Sequence, residues 1–125
     1  MAAPKRVLIV DDHAAVRRAV ISVLESQPEF EVCGEAENGR VAIDKAQRLK
    51  PDLIVLDLSM PVMNGLEAAR ILRATMPEIP ILMYTSFATS NLTKEAMAAG
   101  ATRVATKSSP PALVKDLLML LKAAA

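Results

Sequence analysis

Aromatic side chains are nearly missing from this chain: among 125 residues there are two Phe, one Tyr and no Trp. With 15 Lys and Arg against 14 Asp and Glu, it also lacks an excess of either charge. Modules that read nucleic acid carry a basic face or a row of base-stacking rings, so direct nucleic-acid binding by this chain is not expected. The single cysteine, Cys33, excludes an internal disulfide and an all-cysteine metal site, and it suits a reducing compartment. Long apolar runs are absent too. The longest, such as Val7–Val10 and Leu117–Leu121, fall far below the roughly 18 residues that span a bilayer. The N-terminal stretch before Val7 lacks the apolar region of a signal peptide, and a cytoplasmic protein without membrane contact is expected.

What is present is aliphatic. Hydrophobic residues make up 52% of the chain, enough for one self-sufficient core, and the expectation is a single domain over residues 1–125. Short aliphatic blocks at Val7–Val10, Leu53–Leu56 and Ile81–Tyr84, with weaker ones at Glu31–Ala36 and Thr102–Ala105, predict five strands. Continuous rather than alternating blocks suit strands covered on both faces, as in a parallel sheet.

Between the blocks the apolar residues take helical spacing: Val16, Val20, Val23 and Leu24; Ala42, Ala46 and Leu49; Leu92, Ala96 and Ala99; and Leu113, Leu117, Leu120 and Leu121. A fifth helix is predicted from Gly65 to Met76, stopped by Pro77. Strands alternating with helices predict an α/β fold, a doubly wound five-stranded parallel sheet of (βα)5 type.

In such a sheet ligands bind beyond the carboxyl ends of the strands, so the polar residues that follow each apolar block are the ones to weigh. The first block ends in Asp11-Asp12, the third in Asp57 and the fourth in Thr85-Ser86, and the fifth leads to Lys107. Taken singly these are a helix cap, a loop acid, a strand-end hydroxyl and a solvated charge. Taken together they place chemically matched groups from four strand ends at one rim. Three carboxylates in one place repel, and a divalent cation such as Mg2+, which prefers oxygen ligands, removes the cost. A carboxylate beside a cation and a lysine can attack phosphorus and form an aspartyl phosphate.

Val7-Leu8-Ile9-Val10-Asp11-Asp12, the run Asp57-Leu58-Ser59-Met60-Pro61-Val62-Met63-Asn64-Gly65, Thr85 and Lys107 together resemble the receiver domain of two-component response regulators. The resemblance covers about Lys5 to Leu121, and Asp11-Asp12-His13 with Gly34-Glu35-Ala36 is most similar to receivers fused to helix-turn-helix output domains. It implies a flavodoxin-like sheet of order 2-1-3-4-5, with Asp57 accepting a phosphoryl group from a sensor histidine kinase.

The same resemblance implies that Mg2+ is held by Asp12, Asp57 and the Ser59 backbone carbonyl, with Asp11 acting through water. Lys107, Thr85 and Ser86 would hold the phosphoryl group, and Thr85 would carry the switch. Two positions depart from the family pattern: Val104 stands where many members have an aromatic switch residue, and Ser108 follows the lysine where proline is common. Whether Tyr84 or Phe87 substitutes for the missing ring is left open.

Ser59, two residues after Asp57, also weighs against an aspartyl-phosphate phosphatase or phosphotransferase, which would place its general acid there, and the complete set of site residues weighs against a degenerate receiver that only binds partners. His13 is expected at the exposed rim, Cys33 as a small buried residue and the methionines as gap fillers. The final helix is apolar almost all round, and Leu113, Leu117, Leu120 and Leu121 are the expected face for a homodimer or a C-terminal output domain. No output domain is expected within the chain.

Overall fold

The computed structural model describes residues 3–86, 88–107 and 110–124. Five strands, β1 (Lys5–Val10), β2 (Phe30–Ala36), β3 (Leu53–Asp57), β4 (Ile81–Thr85) and β5 (Arg103–Thr106), alternate with α1 (Ala14–Glu25), α2 (Gly39–Leu49), α3 (Gly65–Thr75), α4 (Ser90–Ala99) and α5 (Pro110–Ala124). The strands form one sheet in the order β2-β1-β3-β4-β5, every pairing parallel.

Strand side chains alternate between two cores, which is why the central strands are apolar throughout. Leu8, Val10, Ile54, Leu56, Ile81 and Met83 pack against alanines of α2, α3 and α4, where Ala42, Ala46, Ala68, Ala69, Ala96 and Ala99 let the helices approach closely. Val7, Ile9, Leu53, Val55, Leu82 and Tyr84 face the other way, onto Val20 and Leu24 of α1 and Leu113, Leu117 and Leu120 of α5. Those three leucines are buried, so the docking face expected on Leu113, Leu117, Leu120 and Leu121 is corrected: only Leu121 of the four keeps partial exposure. A helix on one sheet edge buries its i, i+4, i+7 row first, and the exposed surplus falls on the flank, at Met119.

Cys33 is half-buried rather than buried, since the β1/β2 register shifts between Val7 and Leu8 and leaves Cys33 as the unpaired residue of β2. Met60, Met63, Met76 and Met83 pack in or against the first core, whereas Met97 and Met119 are exposed. Chain order reverses at β1, whose successor lies on one side and whose next partner, β3, on the other. The crevice beyond the C-terminal ends of β1 and β3 is therefore the switch point of the sheet.

Candidate functional site

The parallel register brings the polar strand ends together. Asp11 follows β1, Asp57 closes β3 opposite Tyr84, Thr85 closes β4 opposite Thr106, and the Lys107 backbone N–H donates to the Thr85 carbonyl at 2.8 Å. Asp11, Asp57 and Thr85 are all buried. Lys107 Nζ lies 2.5 Å from Asp11 Oδ2 and 3.0 Å from Asp57 Oδ1, so one ammonium bridges two carboxylates that come from strands far apart in the chain.

Asp12 is half-exposed, yet its Oδ1 is shielded from solvent and accepts no hydrogen bond. His13 Nδ1 stands 3.0 Å from that oxygen, an ion pair only when the ring carries its second proton. Ligand atoms of Asp11, Asp12, His13 and Asp57 all lie within 4.8 Å of one another. An orphaned carboxylate oxygen in a cluster whose negative charge exceeds that of its lysine is the environment a hard divalent cation satisfies, and these residues fit Mg2+.

Burial raises the Asp57 carboxyl above its ordinary value of 3.8, the Lys107 hydrogen bond pulls it back, and the Asp11 charge pushes it up further. Burial alone would lower Lys107, but its hydrogen bonds to Asp11 and Asp57 outweigh that and hold it above 10.5. The local backbone builds the pocket. A Cβ on Gly65 would stand 2.2 Å from the Asp57 carbonyl oxygen, so only glycine lets the loop return over β3, with the Gly65 N–H donating to the Leu58 carbonyl at 2.8 Å. Asn64 and Glu67 then close a reciprocal cap on α3.

Asp11, Asp12, Asp57 and Lys107 converge at the rim, Thr85 ends the neighbouring strand and Ser86 lies in the bend directly after it. Ser59 lies in an exposed bend two residues beyond Asp57. Tyr84 cannot stand in for a ring at position 104, because it points into the α1/α5 core while Val104 packs on the opposite face. There the Tyr84 ring lies beneath Lys107, with Nζ 5.7 Å from its centroid. Phe87 and Ser108, and with Ser108 its peptide bond to Lys107, lie outside the described residues.

Sequence reasoning missed Arg17, which reaches from α1 to donate to the Asp11 carbonyl at 2.5 Å and to Glu35 Oε1 at 3.0 Å. No spacing rule flags a guanidinium that serves a backbone atom. His13 is exposed as expected, at 69% of its side chain, but its ring faces the carboxylates.

The family model described as the response regulator receiver domain matches residues 7–118. A protein-glutamate methylesterase/protein-glutamine glutaminase of a Nocardioides species is 42% identical over 98 residues, which are 77% of this chain and 27% of that protein. Response regulator protein VraR of Staphylococcus saprophyticus is 42% identical over 97 residues, 78% of this chain and 46% of that protein. The chain therefore spans less than half the length of either curated relative. A two-component response regulator of the LuxR family from an Aurantimonas species superposes with a TM-score of 0.91 at 34% identity, over 96% of this chain and 86% of that one.

Proposed function

Because the chain belongs to the response regulator receiver domain family, we propose that it is a phosphorylation-activated signalling switch whose phosphoacceptor is Asp57. The observation that carries this reading is the position of Lys107 Nζ, within reach of both Asp11 and Asp57 inside a cluster of cation-ligating atoms. An Asp57 carboxylate oxygen forms a bond to phosphorus as the bond from phosphorus to the imidazole nitrogen of a sensor histidine kinase breaks, and the imidazole leaves with that electron pair. The Lys107 ammonium exchanges its contact with the Asp57 oxygen for one with the incoming phosphoryl oxygens. Asp12, Asp57 and the Ser59 carbonyl would hold Mg2+, with Asp11 acting through water. The ion supplies neutralisation of the charge carried by the phosphoryl group.

Thr85 and Ser86 then hydrogen-bond the phosphoryl oxygens, and the movement of the loop before α4 carries the signal. With Val104 in place of a ring, Thr85 and this loop are the switch. The signal passes through α4, β5 and α5 to a transcriptional output. A homodimer or output face on α5 is borne by Leu121 and the exposed Met119, and not by the buried leucines. The chain acts as an acceptor that assists its own phosphorylation, in the cytoplasm. Among the described residues no helix is long and apolar enough to cross a membrane.

Incubation with a small acyl phosphate, with Mg2+ or with a chelator, followed by intact mass, tests the reading. A single phosphoryl adduct is expected with Mg2+ and none in Asp57→Asn. The reading fails if the wild type stays unmodified with Mg2+ present.

A further inference from the structure

His13 holds the N-cap position of α1, where Ser, Thr, Asp or Asn normally supplies a capping oxygen, and its side chain makes no capping bond. Its imidazole is directed at the acids instead, with Nδ1 3.0 Å from Asp12 Oδ1 and 3.4 Å from Asp11 Oδ1. The backbone is anchored beside the same acids, because the His13 N–H donates to Asp11 Oδ1 at 2.9 Å. Neighbouring corners of an octahedron with metal–ligand bonds of about 2.1 Å lie about 3 Å apart, and the spacing between Nδ1 and the orphaned Asp12 oxygen meets that requirement.

The geometry points to His13 as a cation-selecting residue, whose Nδ1 joins the carboxylates on a divalent ion and biases the pocket toward first-row transition ions over Mg2+. This rests on the acidic pocket being the cation site proposed above. Magnesium takes oxygen donors and keeps its waters, so an imidazole adds little to its binding. Imidazole is a good ligand for the later first-row ions, and an oxygen-rich set with one nitrogen still suits Mn2+. An unprotonated Nδ1 donates its lone pair to the ion, and at 69% exposure the ring turns to do so without disturbing the core.

Mn2+ is the probe, since its electron spin reports both binding and bound nitrogen. Titration of wild type, His13→Ala and His13→Ser with Mn2+ and, separately, Mg2+ gives the two affinities, and Ser restores a capping oxygen without the nitrogen. Loss of the imidazole is expected to weaken Mn2+ about 10-fold and Mg2+ less than about 2-fold in both variants. Pulsed resonance of the Mn2+ complex is expected to show a nitrogen coupling in wild type that both variants lack. Absence of that coupling in wild type, or equal losses for both ions, would overturn the inference while leaving the Mg2+ site intact. If neither ion binds wild type, the pocket as a cation site is overturned together with the inference.

Discussion

At Asp57 and Lys107 burial and pairing pull against each other, and the balance sets how stability follows pH. Asp57 titrates above 3.8 in the folded chain chiefly because burial penalises its charge. Between 3.8 and that raised value the folded chain holds a proton that the unfolded chain has released, so stability falls as pH rises through this window. Lys107 is also held above its ordinary 10.5, here by its two carboxylate partners against the effect of burial. Its contribution is complete below pH 10.5 and is lost as pH rises through the folded value. Burial raises Tyr84 and Cys33 as well, which adds to alkaline sensitivity.

Lys107→Gln strands two buried carboxylates, and urea denaturation near pH 8 is expected to show a loss of about 2–4 kcal/mol. As pH rises from 10.5 through the raised Lys107 value, the variant is expected to lose less of its remaining stability than wild type. An equal alkaline loss in the two proteins would mean that Lys107 is not the titrating partner.

The loop from β3 to α3 shows how an element serves the site at its own cost. Val62 has φ +67° at the centre of a three-residue turn closed by the Met63 N–H on the Pro61 carbonyl at 2.7 Å. A β-branched residue in the left-handed region is strained, and this one buries nothing in return, being 75% exposed. Neighbouring clamps impose the strain: the Gly39 N–H donates to the Met63 carbonyl at 2.9 Å, and Gly65 admits the Asp57 carbonyl. Val62→Asn is expected to raise stability by about 1 kcal/mol, as Asn tolerates positive φ. Gly65→Ala is expected to lower it by at least about 3 kcal/mol. Denaturant midpoints decide both, and a destabilised Val62→Asn would show that the clamps do not impose the strain assigned to Val62.

Helix α5 is the element on which sequence reasoning went wrong. Its apolar excess is real, but i, i+4, i+7 spacing does not say which row meets the sheet, and the row at Leu113, Leu117 and Leu120 won. Leu117→Ala is accordingly expected to cost about 3 kcal/mol, the cost of a core cavity. A loss below about 1 kcal/mol on chemical denaturation would contradict its place in the core.

For the molecule as a whole, the five strands were legible because a sheet covered on both faces needs unbroken apolar runs, and the rim carboxylates because they follow those runs directly. The pairing of Lys107 with Asp11 across 96 residues was not legible, because it depends on the lateral order of the strands, which resemblance supplied and periodicity did not. Arg17 and the placement of the His13 ring were hidden for a similar reason: both depend on how the chain turns from β1 into α1, which brings Arg17 to the Asp11 carbonyl and the ring to the two acids.

Convergence of the acids has a global consequence through linkage, since a cation that binds only the folded cluster stabilises the entire fold. Mg2+ at about 100 times its dissociation constant is expected to add about 2.7 kcal/mol, read as a rise in Tm, and the rise is expected to shrink in Asp12→Asn. An unchanged Tm at saturating Mg2+ would mean that the cluster does not bind the ion.

The central claim, that Asp57 is the residue modified, is tested most directly by chemical trapping. Borohydride reduces an aspartyl phosphate to homoserine, and peptide mass mapping then locates the changed residue. After treatment with an acyl phosphate and Mg2+, homoserine is expected at position 57 and nowhere else. A phosphoryl group mapped to His13, or homoserine at position 11 or 12 with Asp57 unchanged, would contradict the account.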